Sequence, residues 1–160
     1  MVQRIQTVYL SLAAILLGLI FFIPIAEING GDLVYEFNEN GFVSNSSISD
    51  SNIETKELQP LFPVAIWLGI TVGFIILTIL LFKKRGLQIK LNYLNTLLNL
   101  GLIVFLFYTA DSFSEGIGKG TNTSYKAGLY LAVAALPLLI LANRSIKKDE
   151  NLIKSLDRIR

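Results

Sequence analysis

The chain has 160 residues, of which 52% are hydrophobic and 16% charged, and its formal net charge is +2. A net charge this small does not indicate direct, sequence-specific nucleic-acid binding. The sequence contains no cysteine and no histidine, which excludes disulfides and thiol catalysis and removes the commonest general base and metal ligand. We therefore expect no enzyme, no cofactor and no metal centre.

Long apolar runs separated by short polar stretches predict an all-α membrane protein, built as a four-helix transmembrane bundle. A spanning helix needs roughly 20 mostly apolar residues. Four stretches meet this requirement, and they define a transmembrane domain over residues 1–142: residues 8–25, 61–82, 91–108 and 127–142. A cleaved signal peptide is the alternative for the first stretch, but its apolar run is longer than such peptides carry. We therefore expect a retained span.

The basic residues outside these spans predict the orientation, because Lys and Arg are concentrated in cytoplasmic segments. One basic residue precedes the first span, four lie between the second and third spans, and six follow the fourth. Placing both ends of the chain in the cytoplasm puts eleven basic residues inside and three outside. The opposite orientation inverts that ratio.

This orientation places two loops outside, over residues 29–60 and 109–126. The first contains alternating apolar residues at Leu33, Tyr35 and Phe37, followed by the turn dipeptide Asn40-Gly41. This pattern is typical of a β-hairpin. The loop is interpreted either as a cap that binds a partner or as a packed loop with no partner.

A polar stripe runs along the third span. Its members are spaced so that they share one helix face: Asn92, Asn95, Thr96 and Asn99. Asparagine in hydrocarbon needs hydrogen-bond partners, and contacts between helices supply them at about 0.6–2 kcal/mol each. Three interpretations stay open, namely packing within the bundle, a contact face for another membrane protein, and the lining of a hydrated cavity.

Small residues give a second signal, because Gly69 and Gly73 form a G-x-x-x-G motif on the second span. Such a motif lets two helix backbones approach closely. Packing within one chain and association between chains explain it equally well.

Residues 143–160 form a basic tail with a helical, amphipathic pattern, in which Ile146, Leu152 and Leu156 share a face. A helix of this type lies on an anionic membrane surface or docks on a cytoplasmic partner. The candidate residues for such a surface are the following: Arg4, Lys147, Lys148, Lys154 and Arg158.

The two ends of the chain, residues 1–10 and 152–160, resemble a family of small four-span inner-membrane proteins from Bacteroidota. That family is catalogued as a domain of unknown function of the DUF4293 type. The resemblance implies a multi-pass protein of the bacterial inner (plasma) membrane with its outside loops in the periplasm. It also implies a cytoplasmic-side feature formed by Gln3, Arg4, Gln6, Asp157 and Arg158. It implies no activity and no catalytic residue.

These observations favour a non-enzymatic accessory or scaffold subunit of a larger inner-membrane complex, with protein export or membrane-protein insertion as one setting. The expected partners are the lipid bilayer, other membrane-protein subunits and a cytoplasmic partner of the basic tail. Two alternatives stay open, namely a small oligomeric transporter or channel, and a membrane sensor that uses the outside loop. The middle of the spans carries no ionisable residue, which counts against an ion-coupled transporter.

Overall fold

The computed structural model describes residues 3–30, 33–46, 56–60, 62–81, 85–118 and 121–157. Four helices within these residues are long and apolar enough to cross a membrane, as judged by length and composition. They are α1 (Gln3–Leu19, followed by a 3₁₀ turn at Ile20–Phe22), α2 (Phe62–Leu80), α3 (Arg85–Ile117) and α4 (Ala127–Asp157). The prediction of four long apolar helices is therefore confirmed.

Two of these helices are much longer than the spans predicted within them. α3 has 33 residues and α4 has 31, which at 1.5 Å per residue correspond to lengths of about 50 Å and 46 Å. The basic tail was expected as a separate short helix after residue 142, but it is the continuation of α4. Residues 138–157 contain neither glycine nor proline, so no local signal ends the helix there.

A five-stranded antiparallel sheet caps one end of the helices. Its strands are β1 (Ala26–Gly30), β2 (Leu33–Asn38), β3 (Gly41–Ser46), β4 (Lys56–Pro60) and β5 (Asn122–Tyr125), in the order β4-β3-β2-β1-β5. The predicted hairpin is the β2–β3 pair, so the expected small hairpin is only part of a larger sheet. Strand β5 comes from the connection between α3 and α4 and pairs with β1. Both predicted outside loops therefore lie at the same end of the bundle.

Aromatic side chains attach this sheet to α3. The ring of Phe42 stacks on that of Phe113, with centroids 3.6 Å apart, and Phe37 stacks on Phe42 from the other side at 4.6 Å. Tyr35 meets Phe113 edge-on at 5.5 Å. Phe37 and Phe42 are fully buried. Of the three alternating residues, Tyr35 and Phe37 take part in the contact between sheet and helices, whereas Leu33 is exposed.

The start of α4 packs directly on the chain that leaves α1. The backbone amide of Gly128 donates to the carbonyl of Pro24 at 3.0 Å, and that of Lys126 donates to the carbonyl of Ile25 at 2.9 Å. A Cβ atom at Gly128 would lie 2.7 Å from the Pro24 oxygen. Only glycine fits at this position, which holds α1 and α4 together below the sheet.

Candidate functional site

The three asparagines of the predicted polar stripe point into the bundle. Asn92, Asn95 and Asn99 are completely buried. The Asn92 amide donates to the carbonyl of Leu139 at 2.9 Å, and the Asn99 amide donates to the carbonyl of Ala132 at 3.2 Å. Both acceptors belong to α4. The stripe therefore lies against helices of its own chain.

Asn95 faces a different helix, α2. Its amide donates to the hydroxyl of Thr78 at 2.9 Å. Gln88, one turn below Asn92 on α3, also reaches α2 and donates to the Thr78 carbonyl at 3.3 Å. Thr96 behaves differently, because its hydroxyl donates to the backbone carbonyl of Asn92 in its own helix. Three of the four predicted stripe residues thus bridge helices, and Thr96 does not.

Each bridging asparagine donates through its side-chain amide nitrogen, and its side-chain oxygen has no hydrogen bond to any described residue. The same holds for the buried side-chain oxygens of Gln6, Gln88 and Asn143 and for both carboxylate oxygens of Asp149. Asp149 is only 6% exposed. Each unmade buried hydrogen bond costs free energy, so these oxygens are polar positions of the interior that the described residues leave unsatisfied.

The G-x-x-x-G motif lies on the outside of the bundle. Gly69 and Gly73 are both exposed, and a Cβ atom at either position would have no atom of a described residue within 4 Å. Within the described part of the structure, neither glycine is therefore used for helix packing inside the chain, which was one of the two interpretations of the motif. The glycines form an open strip along α2, beside the exposed side chains of Ile66 and Ile70.

The basic part of α4 presents its charges away from the bundle. Lys147 and Lys148 are exposed, and the Lys147 ammonium lies 4.9 Å from the centroid of the Tyr93 ring on α3. Arg4 and Lys154 lie within helices, but their side chains are outside the described ones, and Arg158 lies outside the described residues. The structure therefore describes two of the five predicted surface cations.

The sheet end carries a second set of polar contacts. The Tyr125 hydroxyl donates to the Asp111 carboxylate at 2.8 Å, and the Lys126 ammonium lies 2.6 Å from the Glu27 carboxylate. Burial and the neighbouring Asp111 raise the pKa of Tyr125 to about 12, because both disfavour the ionised phenolate. Among the described residues, no three acidic side chains are grouped in a way that could hold a metal ion.

The family model described as Domain of unknown function (DUF4293) matches residues 2–159. The chain belongs to the DUF4293 family. The resemblance carried by the two ends of the sequence is thereby confirmed for the family. No curated protein matches the chain. Membership of DUF4293 supplies no activity.

For this DUF4293 chain, sequence reasoning missed several buried polar residues. Thr78 accepts the Asn95 hydrogen bond, and Gln88 extends the polar interior by one turn. A signal was available, because Gln88 precedes Asn92 by four residues and so shares its face. Asp149 is likewise three residues after the buried Ile146. Gln88 and Asp149 both lie just outside the predicted spans. Extending the helical spacing beyond the ends of each span would have placed them on the buried face.

Proposed function

We propose that the chain is an integral membrane protein that acts as a non-enzymatic accessory or scaffold subunit of a larger complex in the bacterial inner membrane. Membrane insertion is supported by the surface of the helices. Only 28% to 39% of the residues in the four apolar stretches are buried. Exposed side chains such as Leu80 at 70% and Val104 at 62% would form apolar patches that soluble monomers rarely expose.

The proposed orientation has both ends of the chain in the cytoplasm and the sheet outside. The distribution of basic residues supports it. The chain has no cysteine, so single cysteines can be introduced at the exposed positions Asn40, in the turn between β2 and β3, and Asn151, on α4. A membrane-impermeant maleimide should label Asn40→Cys in spheroplasts and Asn151→Cys only after permeabilisation. The reverse labelling pattern would show that the orientation is the opposite of the one proposed. Equal labelling of both cysteines in spheroplasts would contradict insertion.

The observation that carries the subunit proposal is the open glycine strip at Gly69 and Gly73. Without a hydrophobic driving force in lipid, helices associate by close packing, which small residues permit. No described residue of the chain uses the strip. A transmembrane helix of another subunit is therefore the occupant that we propose.

The test is recovery of a partner from native membranes by mild detergent extraction of the tagged protein. Gly69→Leu and Gly73→Leu should abolish co-purification of the partner, because the larger side chain holds the helices apart. Gly18→Leu is the matched control, since a Cβ atom at Gly18 also meets nothing within 4 Å, and it should keep the partner. Equal recovery from all three variants, or a homo-oligomer with no other protein, would contradict the subunit proposal.

A connection with protein export or membrane-protein insertion stays a prediction, and the identity of the recovered partner tests it. The non-enzymatic role is supported by the absence of cysteine and histidine from the sequence. It is also supported by the inner polar residues, which bridge helices through their amide groups.

A further inference from the structure

Two clefts lie side by side on the outer surface of α3 and α4, near the end opposite the sheet. The first, of about 280 Å³, lies between the helices and is lined by Tyr93, Thr96, Ile140, Asn143, Arg144 and Lys147. The second, of about 460 Å³, follows α4 and is lined by Arg144, Lys147, Lys148 and Asn151. Arg144 and Lys147 line both, so the clefts form one continuous groove, called here the basic groove.

The basic groove is strongly cationic. Its lining contains three cations and no carboxylate among the described residues. Two acids follow Lys148 on α4: Asp149 is buried and so turns towards the bundle, and Glu150 is partly buried and lines neither cleft. The electrostatic field in the groove is therefore suited to an anion.

One of these cations is held in a defined place. The Lys147 ammonium sits 4.9 Å from the Tyr93 ring centroid, within the range of a cation–π interaction. This contact directs the ammonium of α4 towards α3, at the cleft that Tyr93 and Lys147 both line. The positive charge is thus held at a cleft whose lining also includes Thr96, Asn143 and Arg144.

Apolar side chains continue from the groove towards the middle of the helices. Ile140 on α4 is 42% exposed and lines the cleft itself. On α3, Leu97 and Leu100 follow Tyr93 at helical spacing and are also exposed. The groove therefore combines a cationic end with an apolar flank, in the direction that leads into the membrane.

We infer that the basic groove binds an anionic phospholipid, with the phosphate at Arg144 and Lys147 and the acyl chains along the apolar flank of α3 and α4. The inference rests on the proposed membrane insertion. In the proposed orientation the groove lies at the cytoplasmic leaflet, where basic pockets between helices bind anionic headgroups. Free phosphate would satisfy the cations but would leave the apolar flank without a ligand.

The test is a titration of the purified full-length protein in neutral detergent with phosphatidylglycerol, followed by native mass spectrometry. Arg144→Gln and Lys147→Gln should each weaken phosphatidylglycerol binding roughly fivefold. Tyr93→Leu should weaken it in the same direction, because Lys147 loses the ring. Tyr93→Phe keeps the ring but removes the hydroxyl that contacts Lys147 and Asn143, so it should weaken binding less than Tyr93→Leu does. Phosphatidylcholine, which carries no net charge, should bind more weakly than phosphatidylglycerol.

Lys90→Gln is the matched control, because Lys90 is exposed on α3 at the same end of the bundle but does not line the groove. Equal losses in Lys90→Gln and Lys147→Gln would indicate general attraction to surface charge and would overturn the proposal. Displacement of phosphatidylglycerol by inorganic phosphate at equal concentration would also overturn it in favour of a free-anion site. Membrane fractionation of each variant separates these outcomes from a failure of insertion, which would place the protein in the soluble fraction.

Discussion

The amide nitrogen of Asn95 lies 2.9 Å from the hydroxyl oxygen of Thr78, and this contact joins α3 to α2 inside the bundle. Thr78 in turn donates to the Phe74 carbonyl of its own helix at 2.7 Å. The hydroxyl therefore donates one hydrogen bond within α2 and accepts another from α3. Both side chains are completely buried, so no water competes for either bond.

We expect this pair to couple energetically. Asn95→Leu, Thr78→Val and the double variant form a cycle whose interaction energy should be about 0.6–1.7 kcal/mol. Valine preserves the shape of threonine, so that the cycle isolates the hydrogen bond. Thermal unfolding in detergent measures it. Strictly additive effects of the two substitutions would show that the contact contributes nothing to stability.

Gly128→Ala should destabilise the protein by about 1–3 kcal/mol, because the new methyl group would meet the carbonyl oxygens of Pro24 at 2.7 Å and Ile23 at 2.9 Å. These are backbone atoms, which cannot move aside without shifting the end of α1. Gly18→Ala, with open space around it inside α1, is the control and should keep or raise the unfolding temperature, because alanine favours a helix over glycine. Equal unfolding temperatures for the two variants would contradict the close approach of α4 to Pro24.

Phe42→Ala should loosen the sheet from α3, because Phe42 is buried between Phe37 and Phe113. Removal of a buried phenylalanine side chain typically costs about 3–5 kcal/mol. Limited proteolysis should then cleave within the strands at lower protease concentration than in the wild type. Tyr108→Ala removes an aromatic ring that is 70% exposed, and it should not change the cleavage. Matching protease sensitivity in the two variants would argue against the aromatic attachment.

The contact between Tyr125 and Asp111 predicts a loss of stability at alkaline pH. The pKa of Tyr125 is raised to about 12, whereas the unfolded tyrosine titrates near 10. Below pH 10 the contribution of Tyr125 is fully present, and it is lost as the pH rises from about 10 to about 12, because only the unfolded state releases the proton in that window.

The unfolding temperature should therefore fall more steeply over this window in the wild type than in Tyr125→Phe, which cannot ionise at that position. Lys126 and Glu27 are present in both proteins, so the difference between the two profiles isolates Tyr125. Parallel profiles would mean that the hydroxyl titrates as it does in the unfolded chain.

Apolar run length was sufficient to predict the four helices, because that signal is local and strong. Alternation at Leu33, Tyr35 and Phe37 likewise predicted the β2–β3 hairpin. Strand β5 escaped prediction because its sequence, Asn122–Tyr125, is polar and short, and it is held through backbone pairing with β1. Such pairing depends on residues far away in the sequence and leaves no apolar pattern.

The candidate surfaces likewise divide into features that local sequence predicts and contacts that depend on distant residues. Helical spacing correctly placed Asn92, Asn95 and Asn99 on one face, but it did not identify Thr78 and the α4 carbonyls as their partners. The G-x-x-x-G motif indicated a face suited to close helix contact without saying whether this chain would fill it. The pair of Lys147 and Tyr93 depends on how α3 and α4 lie against each other, which no local pattern records.

The pairing of β1 with β5 has a consequence for biosynthesis. Strand β1 is made soon after the first helix, whereas β5 is made only after α2 and α3 have been completed. One edge of β1 must therefore wait unpaired while most of the chain is synthesised. β5 closes that edge, and the backbone amides of Lys126 and Gly128, which follow β5 directly, donate to Ile25 and Pro24. The same strand pair therefore fixes where the last helix begins relative to the end of the first.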